Sequence, residues 1–241
     1  MELAGCFLKF GELPHMLDLQ KKGVLYCNPV NYFTGIGDGN LRGDDMEDVT
    51  ELIYMESGTA LLGEPEKDPA IDGIKMPFKN ANFKGRIVQP FGNLFCLYTI
   101  NFLEKQNDQQ FTVDVQMKKF GGYFLLIHKP QEFLRRVKKA ADKMKLVMQG
   151  DFVKYLDLSR YTGKKSVFQK DAHYSYQHEY RIFINYKKLE PIIVEVGNID
   201  DISILCESNE IEKLVISGRK KNATTFTILA NLEIINKKVD C

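Results

Sequence analysis

The clearest helical period in this chain is a single one. In PQEFLRRVKKAADKMKL, Phe133, Leu134, Val137, Ala141 and Met144 return at the three- and four-residue spacing of one helix face. Pro130 stands at the first turn, where its missing N–H costs nothing. Most other apolar segments have strand length: Leu3 to Phe10, Val24 to Cys27, Val49 to Met55, Thr59 to Leu62, Tyr123 to His128 and Val147 to Leu156. The series continues with Tyr176 to Tyr186, Ile192 to Val196, Ile202 to Cys206, Leu214 to Ser217 and Thr225 to Leu229. The continuous run Asn93 to Phe102 (NLFCLYTINF) predicts a central buried strand. Strands that follow one another with few helices between them argue against a doubly wound parallel sheet. They predict an α+β fold of mostly antiparallel strands. The chain reads as a single domain over 1–241, with a loop-rich excursion at 64–92 holding one short strand, Arg86 to Gln89.

Thirty-three basic and 32 acidic residues nearly cancel, so attraction to nucleic acid requires a local patch. Of the five cysteines, Cys6, Cys27, Cys96 and Cys206 sit inside apolar runs, and no C-x-x-C pair occurs. That usage predicts small core residues in a reducing compartment, not a disulfide framework or zinc site. The N-terminus lacks a basic, then apolar, leader, and no apolar run approaches the roughly 20 residues that span a bilayer. The expectation is a cytoplasmic protein with no membrane segment.

The first thirty residues read as strand, short helix over Glu12 to Lys22, a Gly23 cap, then strand, ended by Asn28-Pro29. TGIGDGNLRGDDMED follows as an acidic, glycine-rich loop. As a calcium loop it fails: Arg42 and Val49 occupy positions that need oxygen ligands. No phosphate loop, dinucleotide fingerprint or nucleophile elbow is present. His173 and His178, five apart, would face opposite sides of a strand.

The most unusual segment is YSYQHEYRIFI. Strand alternation puts Tyr176, His178, Tyr180 and Ile182 on one face and Gln177, Glu179, Arg181 and Phe183 on the other. One reading is a half-solvated strand with a Glu–Arg pair. The other is a Q-x-E device in which Glu179 holds a ribose hydroxyl and stabilises a developing oxocarbenium ion while Gln177 orients the nucleophile. The outer face of the helix at 130–145, with Arg135, Arg136, Lys138, Lys139, Lys143 and Lys145, is either a solvated basic face or a place for phosphates.

The opening unit FLKFGELPHMLDLQKKGVLYCNP and the Q-x-E strand together resemble the ADP-ribosyltransferases. That resemblance implies a split sheet, NAD as cofactor and Glu179 with Gln177 as catalytic residues. Lys9 stands near the position where the family grips nicotinamide with His or Arg, followed by Gly11. It further implies that Tyr32 or Phe33 of NPVNYF stacks on the nicotinamide and that Arg42 or Arg181 grips the pyrophosphate. The acceptor would be a protein or a nucleic acid, the latter if the basic helix borders the cleft. The chain is also similar to uncharacterised bacterial proteins, some linked to phage defence. They share an F-x-K start, a segment like NPVNYF and a late block seen here as Phe168-Gln-Lys170 with Tyr176, Gln177, Glu179, Tyr180 and Arg181.

Three functions follow as expectations: an NAD-dependent ADP-ribosyltransferase-like enzyme, a non-enzymatic defence-associated module binding a nucleotide or partner protein, or a metal-dependent nuclease using Asp44, Asp45, Glu47 and Glu179.

Overall fold

The computed structural model describes residues 5–37, 41–62, 74–86, 91–101, 110–214, 216–221 and 225–229. Strand β1 (Gly5–Gly11) leads into helix α1 (Leu13–Leu17), which widens to a π-helical turn over Asp18–Lys22 and stops at Gly23. Gly23 has φ 68° and ψ 35°, and a Cβ there would stand 2.0 Å from the Gly197 carbonyl oxygen. Both the left-handed backbone and the close approach require glycine, so the expected cap is also a packing point.

After β2 (Val24–Pro29) a 3-10 turn over Val30–Thr34 opens the acidic loop. Strands β3 (Val49–Leu62) and β4 (Ile74–Arg86) then form a long antiparallel hairpin. This corrects the reading of 64–92 as loop: strand β4 occupies 13 of its residues. Most of β4 is exposed on both faces, and its short alternation of Ile74, Met76 and Phe78 is interrupted by Pro77 and a run rich in Lys and Asn that reads as loop. The expected strand Arg86 to Gln89 lies, apart from Arg86, outside the described residues.

The central strand β5 (Asn93–Asn101) is followed by β6 (Gln110–Phe111), β7 (Tyr123–Ile127) and helix α2 (Pro130–Lys143). The predicted strand at 147–156 divides into β8 (Val147–Phe152) and β9 (Lys154–Leu156). Short strands β10 (Gly163–Lys164) and β11 (Gln169–Asp171) precede β12 (Glu179–Asn185). The chain continues through β13 (Ile192–Glu195), β14 (Ser203–Glu207), β15 (Ile216–Lys221) and β16 (Thr225–Leu229). The fold is α+β, sheet-dominated and mostly antiparallel; the short β9–β11 pair is parallel. Among the described residues no helix is long and apolar enough to cross a membrane.

Eight strands make the main sheet, in the order β13-β2-β5-β1-β7-β14, with β12 and β8 beside β5. β12 lies along β5 from Asn93 to Tyr98. The opposite edge of β5 has two partners: β1 pairs at Tyr98 to Asn101 and β2 at Asn93 and Leu94. Between them, on that edge, Phe95, Cys96 and Leu97 have no strand beside them among the described residues. The sheet forks there.

Alternation along the strands gives the sheet two apolar faces. Phe7, Leu25, Phe95, Leu97, Leu125 and Ile182 pack with Phe133 and Val137 of α2 on one side. Leu8, Tyr98, Phe124, Leu126 and Cys206 pack with Met117 and Ile211 on the other.

Candidate active site at the fork of the sheet

A cavity of about 600 Å³ opens where β1 and β2 part. Lys9, Gly11, Tyr32, Phe33, Arg42, Gln177, Glu179 and Arg181 all line it. The sequence thus marked eight positions from four separate segments that converge on one space. No residue of α2 lines this cavity. Its arginines are engaged locally: Arg135 and Arg136 pair with Glu132, and Arg136 also with Asp201. The basic helix therefore does not border the cleft.

Lys9 closes the fork from within. The Thr99 N–H donates toward β12, to the His178 carbonyl. By alternation the Cys96 carbonyl, three residues earlier, faces the other way, into the gap between β1 and β2. The Lys9 Nζ donates to that carbonyl at 2.8 Å and stands 4.4 Å over the Phe95 ring. A side chain thus supplies the donor that a neighbouring strand would have provided. Burial holds the Lys9 pKa below its ordinary value.

The far wall is a buried ionic cluster. β12 begins at Glu179, not at Tyr176; residues Ala172–Gln177 form a 3-10 turn and His178 is left-handed at φ 38°. Gln177 and Glu179 therefore do not share a strand face. Lys170 brings them together instead. Its Nζ donates to Gln177 Oε1 at 2.7 Å and to Glu179 Oε1 at 2.8 Å. The Arg181 Nε donates to Glu179 Oε2 at 2.7 Å, and the rest of its guanidinium grips the Glu47 carboxylate with both terminal nitrogens. Gln177 Nε2 donates to the Leu41 carbonyl at 2.9 Å, which ties the acidic loop to this wall. The Glu179 N–H donates to the Tyr155 hydroxyl.

Glu179 is 7% exposed, Glu47 3% and Arg181 1%. The strand is therefore not half-solvated at its polar face, which corrects one of the sequence readings. Burial alone would raise the Glu179 carboxyl, but the charges of Arg181 and Lys170 outweigh it and hold it well below the usual carboxylate range. The same attractions overcome burial at Arg181 and Lys170, whose pKa values lie above ordinary. Glu179 is thus ionised at neutral pH. A carboxylate offers about four lone-pair directions and two are taken, so acceptor capacity remains toward the cavity. The lining carries Lys9, Arg42, Lys170 and Arg181 against Glu12, Asp18, Glu47 and Glu179. It orients polar groups without a large net field.

Tyr32 and Phe33 form an edge-to-face pair with ring centroids 5.4 Å apart, and Tyr32 is half-exposed at the cavity wall. Arg42 donates to the Phe120 carbonyl at 2.8 Å, bridging the acidic loop to the turn before β7. Behind the cluster, Asp44 is buried with Oδ1 bound by the Met46 N–H and Oδ2 without a partner; Lys165 Nζ is likewise unpartnered.

Among the described residues no three His, Cys, Asp or Glu side chains come together as metal ligands. Asp45 turns outward toward Lys84, and Glu47 is consumed by Arg181, so Asp44, Asp45, Glu47 and Glu179 do not come together as one ligand set.

No family model, curated protein or solved structure matches this chain.

Two residues of this site enter the sequence reading without the part they play here. Glu47 stands there only among four candidate metal ligands, with nothing to mark it as the partner of Arg181. Lys170 lay in the late F-x-K block, seven residues before Gln177, but its reach to both side chains depends on the turn at Ala172–Gln177 folding it back.

Proposed function

We propose that the cavity binds NAD and that the chain is an ADP-ribosyltransferase-like protein, modifying a protein or nucleic acid acceptor. The observation that carries this reading is the convergence of Lys9, Gly11, Tyr32, Phe33, Arg42, Gln177, Glu179 and Arg181 on one cavity at a fork in the sheet. The donor set fits the group: a cation and backbone at the fork, an aromatic pair at the wall, a second cation on the loop and an ionised carboxylate opposite. NAD would supply an activated ribosyl carbon whose bond to nicotinamide breaks as an acceptor attacks. Glu179 would accept a ribose hydroxyl hydrogen bond and oppose positive charge on the sugar, in a site where burial strengthens electrostatics. Lys170 and Arg181 would fix its orientation, and Gln177, held by the same lysine, would orient the acceptor. Tyr32 and Phe33 would stack on the nicotinamide, Lys9 and Gly11 would line its berth, and Arg42 would meet the pyrophosphate.

The test is incubation with labelled NAD, alone and with cell lysate or nucleic acid, for the protein and for Glu179→Gln. Label transfer or nicotinamide release that disappears in the variant, with NAD still producing a thermal shift, supports the enzyme. Unchanged turnover in Glu179→Gln would sink it.

One observation favours a second reading, a binding module without turnover. Both carboxylate oxygens of Glu179 are already held by cations, and Lys170 and Arg181 offset its charge. This reading expects an NAD-dependent thermal shift and no nicotinamide release.

A further inference from the structure

Lys9 meets the cavity as a cation whose partners are neutral. Of its three N–H groups one is taken by the Cys96 carbonyl, and the charge lies over the face of the Phe95 ring. Neither partner carries a negative charge. The acids of the lining are occupied or distant from it. Glu47 is bound by Arg181, Glu179 by Lys170 and Arg181, and Asp18 by Lys22, while Glu12 is exposed. Among the described residues no carboxylate forms an ion pair with Lys9.

Its wider surroundings do not make up the difference. Burial lowers the Lys9 pKa most, and the Arg42 charge disfavours its ammonium more than the Glu179 charge favours it. The nearby Cys27 and Cys96 thiols are neutral at physiological pH, each pushed up to about 12 by burial. A cation taken out of water without a counter-charge is costly, and a ligand that brings one relieves that cost.

This bears on which ring the fork accepts. The nicotinamide ring of NAD is itself cationic, so it repels Lys9, and its carboxamide offers only a neutral acceptor. A carboxylate in place of the carboxamide makes the ring neutral overall and supplies the missing anion. Hydrogen bonds between ionised groups are about twice as strong as neutral ones.

We propose that the cavity selects the dinucleotide whose pyridine ring bears a carboxylate over NAD itself, with Lys9 as the specificity-determining residue. The placement of the ring at the fork rests on the NAD reading; the charge it should carry there comes from the partners of Lys9.

Calorimetric titration of the full chain with NAD and with nicotinic acid adenine dinucleotide tests it. The carboxylate form is expected to bind about tenfold tighter. In Lys9→Gln, which keeps a donor for the Cys96 carbonyl, the two should bind alike, with the loss falling on the carboxylate form. A thermal melt of the variant checks its fold, and the order of the two ligands in the parent protein is a test that needs no variant. Equal affinities in the parent, or tighter binding of NAD, would overturn the selection and leave the NAD reading standing. A preference that persists in folded Lys9→Gln would overturn the part given to Lys9. If neither dinucleotide binds, the NAD reading and this inference fall together.

Discussion

Arg181 and Glu47, 134 positions apart in the chain, form a two-pronged ion pair in the interior, and the same guanidinium holds Glu179 through its Nε at 2.7 Å. The acidic loop is therefore fastened to the strand carrying the proposed catalytic carboxylate. Arg181 links the position of one to the orientation of the other.

Removing one partner should consequently be costly. Glu47→Gln leaves a buried guanidinium short of charge compensation and is expected to lose about 3–5 kcal/mol of stability, as broken buried pairs do. Substitution of Glu132, which pairs with Arg135 and Arg136 in reach of solvent, should cost far less. Urea denaturation of the two variants compares them directly, and equal losses would contradict the buried pair's role.

The pH dependence of Glu179 follows from its depressed pKa. A carboxyl that ionises more readily in the folded state stabilises the fold fully above its unfolded pKa of about 4.3. That contribution is lost as pH falls toward the lower folded value. The stability gap between the protein and Glu179→Gln should therefore be constant from pH 8 to about 5 and narrow in more acid solution. A gap that changes near neutral pH would show that the carboxyl titrates there.

Asp44 has the opposite sign. Burial, then the neighbouring Glu47 charge, raises its pKa, so the ionised form is penalised in the fold. Asp44→Asn keeps an oxygen for the Met46 N–H and is expected to stabilise by about 1 kcal/mol at neutral pH. The gain should shrink as pH falls through the raised pKa and vanish below about 3.9, where both states are protonated. Thermal melts at two pH values are sufficient, and a destabilised variant at neutral pH would refute the assignment.

Gly23→Ala should be among the more damaging single-methyl changes. It combines the roughly 1 kcal/mol cost of a left-handed alanine with a clash against the Gly197 backbone, which cannot move aside like a side-chain tip. A variant melting with the parent would mean that the turn relaxes.

Much of the fold was legible. The strand–helix–glycine–strand opening, the buried run that became β5, the helix after Pro130 and the antiparallel character all came from short-range patterns of apolarity and turn chemistry. Those signals act over a few residues. They failed at β4, where Pro77 and the lysines and asparagines of an exposed strand read as loop, and at Tyr176 to His178, where a 3-10 turn interrupted an apparent strand.

The sequence by itself named residues that the fold then brings to one cavity. It named Glu179 and Gln177 through their spacing, and Lys9, Gly11, Tyr32, Phe33, Arg42 and Arg181 through what the family resemblance implies. Tertiary structure alone decided how they are held. Gln177 and Glu179 share Lys170 rather than a strand face, Lys9 is spent in part on the Cys96 carbonyl, and Glu47 rather than Asp44, Asp45 or Asp48 reaches Arg181. The physical reason is that partner choice among like charges is a matter of distance and desolvation. Neither exists until the chain has brought residue 47 beside residue 181 and excluded water from both.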